Sequence, residues 1–367
     1  MVKLKDYLLL NSNKVKPAKN PDLNYKVLGV SNEKGIFLNE TLQAEETNQS
    51  FFVVAKNEFC YNPYRINVGS IGLNSFDYDN QIISGAYTVF ACIEAELAPK
   101  YLNALFKSKQ FLDYVNRKAI GGVRMNFKFE DLEAWEIPLP NPEEQAVIVS
   151  QIEKQNEIIG GILKIERNFE FHIPESQDKR PLNSFIIDSL YGLAVKLCDQ
   201  GKYPVLRMNN LDLLGRWHLD NLKYTDEELS EERLLCYGDF IFNRTNSVDL
   251  VGKSSVVDFE MHGSWAGYLI RLKFSKELNP FYLKYLFSTK RFRDCFKKIC
   301  KPAGGQANIN VDELGAVSID YFEPTVQCQI VAELDSQMKI LEGLRKMKAE
   351  AGKKIEKIMD DVWGTGV

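Results

Sequence analysis

The chain has 367 residues, 45% hydrophobic and 26% charged, a balance that excludes a disordered or membrane-embedded polymer; its length exceeds what one hydrophobic core supports, so two domains are expected. A formal net charge of -4 argues on average against a nucleic-acid binder, which needs local positive charge. The average conceals two basic islands, residues 100–128 and 281–311, each with seven Lys or Arg against one Asp; either alone reads as a solvated helix face.

Taken in chain order, residues 1–10 offer only a three-leucine run, too short for the core of a signal peptide. No stretch approaches the roughly 20 apolar residues that span a bilayer, so a cytoplasmic protein without membrane contact is expected. Short β-branched and aromatic runs at 51–54 and 87–92 alternate with Gly and Asn turns, the pattern of a strand-rich domain. A helix then opens at Pro99, with Leu102, Leu105, Phe106, Leu112 and Val115 at core spacing and its lysines outward. Gly121-Gly122 breaks the chain. A long helix follows Asn141-Pro142-Glu143-Glu144, where a cap, a first-turn proline and two carboxylates meet the positive end of the helix dipole.

The same order then recurs. Leu4, Tyr7, Leu8 and Leu9 return as Leu182, Phe185, Ile186 and Ile187, and Glu58, Phe59, Tyr61 and Asn62 return as Asp239, Phe240, Phe242 and Asn243. Strands are expected at 239–242 and 265–272. Leu97-x-Pro99-x-Tyr101-Leu102 and Leu105-Phe106 repeat as Leu278-x-Pro280-x-Tyr282-Leu283 and Leu286-Phe287; Gly121-Gly122 repeats as Gly304-Gly305, and Gln145 as Gln327. Nearly the whole chain is a tandem duplication.

Each copy closes on a long helix with a 4-3 apolar stripe. The first runs through Ile148, Ile152, Gln155, Ile159, Ile162, Glu166 and Phe169; the second through Ile330, Leu334, Gln337, Leu341, Leu344, Lys348, Ala351, Ile355, Ile358 and Val362. Matched stripes on charged helices suggest a coiled-coil seam between them, with a kink at Gly160-Gly161.

Ile137-Pro138-Leu139-Pro140-Asn141-Pro142-Glu143-Glu144-Gln145 resembles the segment that closes each target-recognition domain of type I restriction-modification specificity subunits. Residues 318–327 form a degenerate version lacking the Glu-Glu pair. Gly238-Asp239-Phe240-Ile241-Phe242-Asn243-Arg244-Thr245-Asn246-Ser247, and Ala303-Gly304-Gly305-Gln306-Ala307-Asn308-Ile309-Asn310, resemble signatures of the same family. The resemblance covers about residues 1–362. It implies an α/β fold of two tandem target-recognition domains (1–142 and 174–324) held apart by two long antiparallel coiled-coil helices (143–173 and 325–367) in pseudo-twofold symmetry. Each domain would read one half of a bipartite site in double-stranded DNA. The implied partners are methyltransferase subunits, two of them, and restriction/translocase subunits. No cofactor and no catalytic residue are implied.

Within that frame Arg244, Thr245, Asn246 and Ser247 follow a strand and offer groups that read base edges, arginine to guanine and asparagine to adenine; a capped turn with a surface arginine is the plainer alternative. Lys253 suits a phosphate contact or plain solvent. Asn62, Tyr64 and Arg65 hold the equivalent place in the first copy, in the run Asn62-Pro63-Tyr64-Arg65 that departs from the signature. Arg124 and Gln306 follow the glycine pairs, which read either as close-approach loops or as simple helix ends. Arg117, Lys118, Lys297, Lys298 and Lys301 are expected phosphate anchors.

Enzymatic alternatives find little support. Asn279-Pro280-Phe281-Tyr282 is better explained as a helix start than as a methyltransferase motif, and His172, His218 and His262 form no triad or metal pattern. The seven cysteines contain no Cys-x-x-Cys pair, so reduced thiols are expected rather than a zinc site. A coiled-coil assembly scaffold without DNA preference is the other reading.

Overall fold

The computed structural model describes the chain apart from residues 33, 45–46, 94, 119–125, 304 and 365–367. It forms two compact units, one of Met1–Lys164 with Arg345–Val367, the other of Ile165–Leu344. Among the described residues no helix is long and apolar enough to cross a membrane.

In the first unit a four-stranded antiparallel sheet orders Leu8–Leu10, Thr88–Cys92, Phe59–Tyr61 and Ile71–Leu73. A five-stranded sheet adds Lys14–Val15, Phe51–Val53, Gln81–Ser84, Asn24–Ser31 and Gly35–Gln43, with Asn24–Ser31 and Gln81–Ser84 parallel. Helices α1 (Pro99–Phe106) and α2 (Lys109–Lys118) bury Tyr101, Leu102, Leu105, Phe106, Phe111 and Val115. Phe111, not the expected Leu112, fills the core. Its ring stands 4.8 Å from Phe106 and 4.7 Å from Trp135, a packing of aromatic faces and edges that adds to simple burial. A short helix α3 (Phe129–Glu133) follows, started by the backbone N–H of Lys128 on the Asp131 carboxylate.

The long helix α4 (Pro142–Asn168) begins where the carboxamide of Asn141 accepts the Glu144 N–H at 2.9 Å and the Glu144 carboxylate accepts the Asn141 N–H at 3.1 Å. That reciprocal cap satisfies two amides which a helix start otherwise leaves open. The helix runs through Gly160 and Gly161 without interruption.

In the second unit, a four-stranded sheet orders Ile186–Tyr191, Leu269–Phe274, Phe240–Asn243 and Ser254–Val256. Helices α5 (Pro280–Ser288) and α6 (Lys290–Ile299) pack Phe287 and Phe296 against Phe240 and Phe242, with Phe292 behind them. The strand expected at 265–272 is two strands: Ser264–Trp265 joins Tyr203–Leu206 in a separate sheet, and the chain turns before Leu269. A third sheet orders Thr245–Asn246, Gln306–Asn308 and Lys301–Ala303. Helix α7 (Val311–Gly315) starts on an Asn310–Glu313 capping box, the counterpart of the Lys128–Asp131 pair in the first unit.

The last helix, α8 (Pro324–Trp363), contributes to both cores. In the first unit Ile355, Ile358, Met359 and Val362 join Ile148, Val149 and Ile152 in one apolar cluster. In the second unit Leu334, Met338 and Leu341 join Phe171 and Ile173. Met338 and Met359 lie outside the stripe expected from the sequence yet are buried. A helix lying on a domain core buries a face broader than a coiled-coil seam, and the extra positions fall one turn from the stripe.

Candidate nucleic-acid interface

In the second unit, strand Phe240–Asn243 delivers Arg244 to the rim, where Thr245–Asn246 pairs with Gln306–Asn308. The Thr245 hydroxyl donates to the Asn308 side-chain carbonyl at 2.8 Å. Gln306 is exposed at the tip of the hairpin with Lys301–Ala303, opposite Ala303. The structure therefore brings Arg244, Thr245 and Ser247 together with Lys301 and Gln306, more than fifty positions further along the sequence. Lys297 and Lys298 are exposed at the end of α6, where their charges complement the helix dipole. The ammonium of Lys297 pairs with Asp249 at 2.7 Å, and that hydrogen bond holds the Asp249 carboxyl below the usual carboxylate range. Lys301 pairs with Glu313, whose carboxyl is lowered by the same kind of bond.

Two expected contacts point inward instead. Lys253 is buried; its ammonium donates to the carbonyls of Met208 and, at 2.7 Å, of Leu211, and burial lowers its pKa. The left-handed Gly252 before it faces Phe296 so closely that a β-carbon would stand 2.4 Å from the ring, which turns the chain into the core. Asn246 is also buried, and its amide nitrogen donates to Asn243 Oδ1 at 2.8 Å. Asn243 in turn donates to the carbonyls of Thr245 and Tyr268. These asparagines shape the loop from within, since a buried amide must find partners.

Sequence reasoning missed Tyr191. Its ring lies 4.9 Å from the Arg244 guanidinium, brought there by the pairing of Ile186–Tyr191 with Leu269–Phe274. No local signal links two positions so far apart in sequence.

In the first unit Asn62 Oδ1 accepts the Tyr64 N–H at 3.0 Å, forming a turn that leaves Tyr64 and Arg65 exposed. The Phe127 N–H donates to Pro63 O at 3.0 Å, as the Ile309 N–H donates to Arg244 O at 2.9 Å in the second unit. Arg117 is exposed on α2, and Lys118 pairs with Asp131 at 3.4 Å. Arg124 lies outside the described residues. Beside the turn a crevice of about 700 Å³ is lined by Asn11, Ser12, Pro63, Tyr87, Phe127 and Lys128, among others. Its mixture of amides, aromatic rings and an ammonium suits a nucleic-acid surface.

Residues 1–167 match the family model of the type I restriction modification DNA specificity domain. Over 198 residues, 51% of this chain, the sequence is 27% identical to a putative type I restriction enzyme MjaX specificity subunit of Methanocaldococcus jannaschii. Over 294 residues, 70% of the chain, it is 21% identical to the type I restriction enzyme EcoKI specificity subunit of Escherichia coli K12. The matches span 45% and 62% of those relatives' own lengths. The fold superposes with a TM-score of 0.60 on a chain solved in work on complex assembly and conformational transition of the type I R-M system, covering 98% of this chain and 96% of that one at 17% identity. Residues 1–167 thus carry a type I restriction modification DNA specificity domain, and beyond it the chain is similar to type I restriction enzyme specificity subunits.

Proposed function

We propose that the chain reads double-stranded DNA in two halves, each unit taking one half of a split target, without catalytic groups or a cofactor of its own. The observation that carries this reading is the convergence of Arg244, Thr245, Ser247, Gln306 and Lys301 around one small sheet beside the basic end of α6. Arg244 offers a fork to guanine, Thr245, Ser247 and Gln306 reach base edges, and Lys297, Lys298 and Lys301 hold phosphates. In the first unit Asn62, Tyr64 and Arg65 take the reading positions, with Arg117 and Lys118 on the backbone.

The two long helices act as an antiparallel coiled-coil spacer in pseudo-twofold symmetry. At about 1.5 Å per residue, the 27 residues of α4 extend roughly 40 Å, against about 34–36 Å for one turn of B-DNA. Chemistry comes from partners in the cytoplasm: two methyltransferase subunits dock on the chain, and restriction/translocase subunits join them.

Methylome sequencing tests this reading. Cells carrying the chain with a cognate methyltransferase are expected to gain methylation at a split motif that is missing when the methyltransferase is expressed alone. Methylation that does not depend on the chain contradicts it.

A further inference from the structure

Residues 180–293 include eight arginines. Seven are committed within the second unit: Arg180, Arg216, Arg271 and Arg291 to carboxylates, and Arg207, Arg233 and Arg293 to backbone carbonyls. Arg244 is the exception. Among the described residues its guanidinium has neither a carboxylate nor a carbonyl, only the Tyr191 ring 4.9 Å from its central carbon. Its Nε is closed off from solvent without a partner, and neither Nη group has a hydrogen-bond partner among the described residues.

Both members of this pair are held by their backbones. The Arg244 N–H donates to Tyr268 O at 3.0 Å while its carbonyl accepts from Ile309. Tyr191 pairs with Ile270 in the sheet, and its carbonyl accepts from Arg233 at 2.6 Å. We infer that Tyr191 is a positioning residue that fixes the free edge of Arg244 for one guanine in the half-site read by the second unit. A guanidinium laid on an aromatic face keeps its planar fork oriented without spending its N–H groups. Such a fork matches the O6 and N7 acceptors of guanine in the major groove.

The device belongs to one unit. Pro63 stands where Arg244 stands, as the matching hydrogen bonds from Phe127 and Ile309 show. The pairing of Leu8–Leu10 with Thr88–Cys92, carried on to Ser12, puts that serine at the place of Tyr191, beside the open crevice. The first half-site is therefore read by other groups.

This inference rests on the DNA-reading function, and its test separates the two. Methylome sequencing of cells carrying the chain with its cognate methyltransferase is compared for wild type, Tyr191→Phe, Tyr191→Leu and Arg244→Lys. Tyr191→Phe is expected to keep the motif. Tyr191→Leu and Arg244→Lys are expected to lower discrimination at a single G·C pair of the second half-site by on the order of tenfold, leaving the first half-site unchanged. Selectivity at every position retained in Tyr191→Leu, or lost equally across both halves, overturns the inference while leaving the function standing. If the leucine variant fails to fold, Arg244→Lys and Tyr191→Phe still decide: a shared loss of selectivity counts against a ring-only role for Tyr191. A wild-type complex without any motif overturns the function and this inference with it.

Discussion

Gln145 and Gln327 make the same three hydrogen bonds in their respective units. The side-chain carbonyl of Gln145 accepts the Ala98 N–H at 2.8 Å and its amide donates to Glu96 O and Pro140 O. Gln327 accepts the Asn279 N–H at 2.7 Å and donates to Glu277 O and Phe322 O. Both side chains are fully buried. Each thus ties the start of a long helix to the start of α1 or α5, the helix that precedes the more basic α2 or α6.

Replacing either glutamine with leucine strands one buried N–H and two carbonyls. At about 1–3 kcal/mol for an unsatisfied buried group, a loss on the order of 3 kcal/mol is expected in the unit that carries the change. Chemical denaturation measures it, and Gln145→Leu and Gln327→Leu should agree closely.

Asp320 predicts an acid-sensitive step. Burial pushes its carboxyl up, but hydrogen bonds from Arg291 and the Ser176 N–H, with the charges of Arg291 and Lys179, bring it below the usual range. A depressed carboxylate stabilises the fold fully above its unfolded pKa of about 3.9, and that contribution disappears as pH falls through the lower folded value. Asp320→Asn should cost on the order of 2 kcal/mol at pH 7, because Arg291 is partly solvated, and should flatten the acid limb of a stability–pH curve.

Lys253 and Lys298 separate the two roles a lysine can have here. Lys253→Ala strands the carbonyls of Met208 and Leu211 and should lower stability by about 2 kcal/mol, with the salt dependence of DNA affinity unchanged. Lys298 is exposed; Lys298→Ala should leave the melting temperature in place and reduce the log–log salt slope by about 0.9.

Gly160 and Gly161 have open space around them, with no atom beyond the adjoining turns of their own helix within 4 Å of where a β-carbon would stand. Alanine at either position should stabilise α4 by about 1 kcal/mol, read by thermal melting, without altering the spacer of the methylated motif.

Much of this was legible from the sequence because it is written in local terms. The helix starts at Pro99, Pro142, Pro280 and Pro324 follow from proline's fixed backbone and missing donor, and the doubled order of motifs appears again in two sheets of like strand order. The misses are tertiary. Lys253 looks like a surface lysine until Gly252, packed on Phe296, turns the chain so that its ammonium meets the carbonyls of Met208 and Leu211, and Met338 is buried because α8 lies on a core. Tyr191 meets Arg244 only through strand pairing, which no nearby residue announces.

The most direct test is an exchange of residues 182–310 for the corresponding segment of a type I specificity subunit, followed by sequencing the methylome of cells carrying the chimaera and the methyltransferase. The account predicts a new second half-motif, with the first half-motif and the spacer length kept. A chimaera in which both half-motifs change, or in which neither does, contradicts it.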